Sequence, residues 1–295
     1  MRYFRLVSFF AIVLFLSSSC QKSPNNSEDK RTKEISVKSD EILRVDDILT
    51  RFPPPSEMLA MMEQIKPEFK EGILNEPDYY KNYFDSKTQA LNIGVYSADL
   101  AYLSYAERFK ESIAYFNALY ALSDKLEISS AFSEETIERF QNNITNADSL
   151  QLLMDISVGN LSDYLETNNN ERIFAVISIG GYIEAMYLSF QVIDEFSETN
   201  PFIQRIADQK YVLENIMSYS AQFKNDPMVE GAIKYLMPVK EVYDLLEVKT
   251  NKTVVEKKPD GKIVVKGGSL IEITEEQYMH LEKTILETRN KIIQK

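Results

Sequence analysis

Thr88-Gln-Ala-Leu-Asn-Ile-Gly-Val-Tyr-Ser-Ala-Asp-Leu-Ala-Tyr-Leu-Ser-Tyr-Ala106 and Ile173-Phe-Ala-Val-Ile-Ser-Ile-Gly-Gly-Tyr-Ile-Glu-Ala-Met-Tyr-Leu-Ser-Phe-Gln-Val-Ile193 each contain a single charged side chain, Asp99 in the first and Glu184 in the second. A helix that is apolar nearly all round has no face to offer water, so each stretch reads as a central buried helix. Gly180-Gly181 in the second marks a place where another helix backbone comes close. The second stretch is also long enough to cross a bilayer. A glutamate at its midpoint and the polar Ser178 and Gln191 point instead to a protein core.

Helical spacing continues on both sides of these two segments. Ile42, Leu43, Val45, Ile48 and Leu49 recur at helical intervals until Phe52-Pro53-Pro54-Pro55 stops them. Ser56 is an expected N-cap for a helix over Glu57–Ile65, with Met58, Leu59, Met61 and Met62 on its apolar side; the methionines read as core rather than as a soft binding groove. Pro67 is expected to open a short helix and Pro77 another through Tyr79, Tyr80, Tyr83 and Phe84. Ser86 is expected to cap a long helix running to about Phe109. Further helices are expected at 111–127, 134–142, 147–167, 171–195, 202–224 and 228–247, separated by short linkers such as Asn168-Asn169-Asn170 and Asn225-Asp226-Pro227. Short connections favour antiparallel neighbours.

The period changes near the C-terminus. Thr253–Glu256 and Lys262–Val265 flank the turn signal Lys258-Pro259-Asp260-Gly261, and Leu270–Ile273 is a candidate third strand beyond Gly267-Gly268. Thr274-Glu275-Glu276-Gln277 is a capping box opening a last helix, with Tyr278, Leu281, Ile285, Leu286 and Ile292 on one side. The expected fold is therefore mainly α, an antiparallel multi-helix bundle or short helical array. A small β-ribbon and a final helix, over 251–295, pack on a helical domain over 42–250.

Composition removes several functions. One His at 280 and one Cys at 20 among 295 residues leave no Cys/His zinc site, disulfide framework or multi-His metal centre within one chain, and any Ser-His-Asp triad would have to use His280. The sequence contains no Gly-rich phosphate loop, HExxH pair or GxSxG elbow. We expect no metal and no cofactor. A formal charge of -12 argues against nucleic acid, which is bound by clustered Lys and Arg.

The first twenty residues carry the clearest functional signal. Arg2 and Arg5 precede the apolar run Leu6–Leu16, and Ser17-Ser18-Ser19-Cys20 follows. A charged start, a short apolar core and a small-residue cleavage site form a signal peptide over residues 1–19. Placing the chain's only Cys directly after three serines resembles a bacterial lipoprotein signal peptide. That resemblance implies cleavage before Cys20, diacylglycerol on its sulfur and a palmitate-type acyl group on its amine. Residues 20–41 then hold the lipidated Cys and a polar tether, since 21–34 contain no apolar side chain larger than Pro. Loss of Arg2 and Arg5 leaves 31 basic against 45 acidic residues, a charge of -14. Such a body stands off an anionic bilayer while its acyl chains anchor it, at about 0.8 kcal/mol per buried methylene.

Leu91-Asn92-Ile93-Gly94-Val95-Tyr96-Ser97-Ala98-Asp99-Leu100-Ala101-Tyr102 resembles a widespread family of uncharacterised Bacteroidota lipoproteins. So do Pro53-Pro54-Pro55-Ser56, Ile179–Tyr187 and Gly261–Thr274, at matching places over most of residues 50–295. The family has no assigned activity; the resemblance implies an envelope lipoprotein with a helical domain and supplies no catalytic residues. Ser17 stands where Leu is usual three residues before the Cys, a looser box that also resembles Bacteroidota. Surface-displayed lipoproteins of that group carry acidic residues directly after a Lys or Gln near the Cys. Lys22 is followed here by Ser23-Pro24, so the expected site is the periplasmic face of the outer membrane.

Asp99-Leu-Ala-Tyr102-Leu103-Ser104 and Glu184-Ala-Met-Tyr187-Leu188-Ser189 align at an offset of 85 residues, a hint of an internal repeat. In a repeat the two carboxylates are pseudo-equivalent and face one another across the core. Two carboxylates sharing one buried site would split their pKa values into an acid/base pair suited to hydrolysis. The structural alternative is that each accepts hydrogen bonds from Tyr96, Tyr102, Tyr182 or Tyr187, or pairs with a Lys or Arg from another helix. The abundant tyrosines, Tyr79, Tyr80, Tyr83, Tyr102, Tyr105, Tyr115 and Tyr120 among them, read as core with hydroxyls at its rim. Asp148-Ser149-Leu150 resembles a short O-glycosylation motif and serves equally as a helix cap.

Three functions follow as expectations. The first is a non-enzymatic, lipid-anchored binding or accessory component with an envelope protein as partner and the membrane held through its anchor. The others are an envelope hydrolase using Asp99 and Glu184, and a small-molecule binding lipoprotein with a pocket between the two central helices.

Overall fold

The computed structural model describes residues 68–142, 147–193, 195–197, 200–257 and 263–294. Cys20, the leader, the tether, the Met58–Met62 segment and the Pro259-Asp260-Gly261 turn lie outside the described residues.

The two nearly uncharged stretches are α1 (Ser86–Tyr105) and the later helix Glu171–Gln191. Between them come α2 (Phe109–Lys125), α3 (Glu134–Asn142) and α4 (Ala147–Thr167). With Glu171–Gln191 as α5, the chain continues through α6 (Pro201–Ala221), α7 (Pro227–Asp244), strands β1 (Glu247–Lys257) and β2 (Ile263–Glu272), and α8 (Glu275–Ile292). The fold is mainly helical with one small antiparallel ribbon.

Burial ranks the helices as their polarity predicts. In α1, 16 of 20 residues are buried and in α5, 15 of 21, against 8 of 21 in the amphipathic α6. The helices α1 and α5 form the most extensive helix pairing among the described residues. Around this pair, α2 and α4 lie on α1, while α6, α7 and α8 lie on α5. The helix α5 is the one described helix long and apolar enough to cross a membrane, and protein covers 83% of its most apolar stretch. Its apolar surface is thus spent on the core.

The crossing of α1 and α5 is set by glycine. A Cβ on Gly180 would stand 1.9 Å from the Leu91 carbonyl oxygen, and one on Gly94 would stand 2.1 Å from the Ile177 carbonyl oxygen. No side chain fits at either point, so the two backbones touch and no pocket opens between them there.

Several local expectations are corrected. No helix follows Pro67: residues 68–76 are irregular, with Gly72 at φ +77°, and Pro77–Asn82 is a 3-10 turn. The N-cap of α1 is Asp85 rather than Ser86, its carboxylate accepting from the Thr88 N–H at 3.0 Å. That first long helix ends at Tyr105, because Glu107 takes a positive φ and the Arg108 N–H reaches back to the Leu103 carbonyl. The same ending recurs at Glu127 and Asn169. The suggested third strand is absorbed into β2, which runs unbroken through Gly267-Gly268. One extra β1 residue between Asn251 and Val254 is taken up as a bulge opposite Gly268 and Lys266. The capping box forms as read, with Thr274 and Gln277 bonding reciprocally.

Candidate functional site

Asp99 lies five residues past Gly94 and Glu184 four past Gly180, so both project from the same side of the glycine crossing. They meet, and both are fully buried. A third group, absent from the sequence-level pair, joins them. Arg289 of α8 grips Glu184 with the Nε/Nη2 edge of its guanidinium: Nε donates to Oε2 at 2.9 Å and to Oε1 at 3.1 Å, and Nη2 donates to Oε1 at 2.9 Å. Nη2 also donates to the Ile73 carbonyl at 3.0 Å, and the Tyr187 ring lies against the guanidinium, its centroid 4.1 Å from Cζ. Arg289 is only 3% exposed.

Asp99 is held differently. Its Oδ2 accepts the Asn75 N–H at 3.2 Å, while its Oδ1 meets no N–H or O–H donor. Burial first, and then the charge of Glu184, push the Asp99 carboxyl well above the usual carboxylate range. Arg289 and the Asn75 N–H pull the other way without reversing it. The raised value favours the protonated Asp99 carboxyl, and a proton there fills the otherwise orphaned oxygen by bonding towards Glu184. In that form Glu184 and Arg289 balance one another, and the buried cluster carries no net charge. A second ionised carboxylate would leave one uncompensated charge there, a cost of several kcal/mol.

The four tyrosines weighed as partners bond elsewhere or not to the acids. Tyr96 Oη donates to the Glu76 carbonyl at 2.9 Å, Tyr102 Oη accepts the Lys70 N–H at 3.0 Å, and Tyr182 Oη donates to the Gln209 carbonyl at 3.4 Å. Tyr187 supplies its ring to Arg289. Of the tyrosines read as core, Tyr83 and Tyr102 are almost fully enclosed, whereas Tyr79 is 37% exposed. The Arg289 partnership left one trace in the sequence. Arg289 stands four residues after Ile285 and three before Ile292, in step with Tyr278 and Leu281, so a cation sits within the buried stripe of its helix.

Neither of two surface depressions reaches the acids. One, about 40 Å³, is an apolar crevice lined by Ile93, Leu100, Phe116, Phe140, Met154 and Leu161. The other, about 500 Å³, is a shallow groove between α5 and α8 lined by Tyr187, Phe190, Met279 and Leu286, with His280 and Lys283 at its rim. His280 is exposed. Among the described residues no group of three or more His, Cys, Asp or Glu is placed to hold a metal ion. Acid/base chemistry requires the catalytic carboxyl to touch its substrate. Here both carboxyls face only protein.

Comparisons with family models, with curated proteins and with solved structures found no match for this chain.

Proposed function

We propose that this protein is a lipid-anchored component of a bacterial cell envelope. It is tethered to the outer membrane through Cys20 and faces the periplasm, with a helical body that works by binding a partner rather than by catalysis. The envelope part of this reading is supported by Arg2 and Arg5, the apolar run Leu6–Leu16 and the small residues before Cys20. The resemblance to Bacteroidota lipoproteins supports it independently.

One observation carries the non-catalytic part. Asp99 and Glu184, the only catalytic candidates the sequence offered, are both 0% exposed, and one is tied to Arg289. Their arrangement is that of a core clamp. A hydrolase would need water and substrate at the pair, and the glycine crossing and α8 exclude both.

Two experiments test the reading. Mass spectrometry of the mature chain from its native host is expected to find Cys20 as the N-terminal residue carrying acyl chains; an unacylated Cys20 overturns the anchor. In the host, Asp99→Asn and Glu184→Gln are expected to alter the phenotype only as far as they lower the amount of folded protein. A variant that folds and accumulates as wild type yet abolishes the phenotype overturns the non-catalytic reading.

A further inference from the structure

The β-ribbon is joined to the helical body at one end. Leu246 and Ile271 are buried at this root, where α6 meets β2 and Gln204 Nε2 donates to the Ile271 carbonyl at 3.1 Å. Among the described residues, β1 packs substantially only on β2, and β2 only on β1 and α6. The 11 residues of β1 extend about 35 Å at roughly 3.3 Å each, so the strand runs well past the root with its outer edge open. A two-stranded ribbon is marginal by itself in water. The outside of the root is apolar: Leu245 is 64% exposed, Val248 41% and Leu270 40%. Charge separates the ribbon from the rest of the protein as well. Over 249–266 the sequence carries Lys249, Lys252, Lys257, Lys258, Lys262 and Lys266 against Glu256 and Asp260, a charge of +4, so the remainder of the chain carries -16. An open strand edge is a template for another strand. Lysines along it repel a second copy of the same edge and attract an acidic strand.

We propose that the open edge of β1 is a docking site for an extended acidic segment of a partner protein, which adds to the ribbon as a third strand. The site rests on the partner-binding role given to the body above, and it gives that partner a chemistry. Main-chain hydrogen bonds along β1 supply the pairing, and acidic side chains of the incoming segment answer the lysines. Apolar side chains at its alternate positions cover Val248 and its neighbours at the root. The β2 edge is the less accessible of the two, because α6 already occupies it at Ile271.

Fluorescence anisotropy with the full mature chain and a labelled peptide of alternating Glu and Val tests this. The peptide is expected to bind with a Kd below about 1 mM at low salt, and to lose about threefold or more in affinity between about 50 and 200 mM NaCl. A peptide of alternating Lys and Val, and the Glu-Val peptide N-methylated throughout, are expected not to bind. Hydrogen exchange over 249–257 is expected to slow when the Glu-Val peptide is added, while 94–103 stays unchanged. Lys252→Glu combined with Lys257→Glu is expected to weaken the Glu-Val peptide by about tenfold or more and to accept the Lys-Val peptide, an exchange of preference that a misfolded ribbon could not show. A Glu-Val peptide that does not bind, binds equally well when N-methylated, or keeps its preference in the double variant overturns the site. So does self-association of the chain, or binding to vesicles containing phosphatidylglycerol, that the double variant abolishes while the peptide is ignored. Each of these failures leaves the Cys20 and host-phenotype results standing, so the site and the function fall separately.

Discussion

The same two helices meet in two contrasting ways within a turn or so of each other. At Leu91, Gly94 and Gly180 they touch backbone to backbone, and fit is decided by the absence of side chains. Beyond it, Asp99 and Glu184 fill the interface with polar groups that require an arginine from α8 and a proton. Both regions are fully enclosed. The first holds by shape and is indifferent to pH; the second holds by hydrogen bonds and charge balance, and reaches Ile73 and Asn75 in the segment before α1.

The largest expected effect lies at the crossing. A Cβ on Gly180 would stand 1.9 Å from a carbonyl oxygen where contact normally begins near 3.4 Å, so the helices must part by about 1.5 Å. Gly180→Ala is expected to cost about 4–5 kcal/mol or to prevent folding, read by urea titration. Arg289→Met comes next. It leaves Glu184 buried without its partner and is expected to cost about 3–5 kcal/mol.

Asp99→Asn is milder, about 1–2 kcal/mol at pH 7, because the amide can still donate to Glu184 and accept from Asn75. Its sharper effect is on pH dependence. The folded protein holds the Asp99 proton more tightly than the unfolded chain, so stability from this group is complete below the ordinary aspartate range. It is lost as pH rises through the raised value. As pH rises above about 4, the ordinary aspartate value, wild type is expected to lose more stability than Asp99→Asn does in the same denaturation series. The smallest effect is at Gly181, next to the critical glycine. There a Cβ would meet its nearest neighbour at 3.5 Å, an ordinary contact, so Gly181→Ala is expected to be neutral or to gain up to about 1 kcal/mol. A thermal shift as damaging as that of Gly180→Ala would break the distinction between the two positions.

The apolar half of this contrast was legible in the sequence. A stretch of some twenty residues with one charge, placed at its middle, reads as a buried core helix rather than a membrane span, and adjacent glycines inside it indicate close approach. The polar half was legible only in part. That Asp99 and Glu184 might face one another followed from their matching surroundings, but Arg289 lies 105 residues beyond Glu184 and no local spacing joins them. Residues 68–76 were misread as a helix after Pro67 because their conformation is imposed by tertiary bonds to Tyr102, Asp99 and Arg289 rather than by local propensity. The end of α1 was misplaced for a related reason. Glu107, like Glu127 at the end of α2, occupies a left-handed position where glycine is the usual signal. Gly267-Gly268 had the opposite effect, suggesting a break where the ladder accommodates a bulge.

The charge balance of the cluster depends most on Asp99 being its neutral partner. Carbon-13 NMR of the aspartate carboxyls, with Asp99 assigned by its disappearance in Asp99→Asn, reads this directly. The Asp99 signal is expected to titrate at clearly higher pH than the solvent-exposed aspartates, which change near pH 4. An Asp99 that ionises along with them would contradict the neutral carboxyl, and with it the charge-balanced clamp.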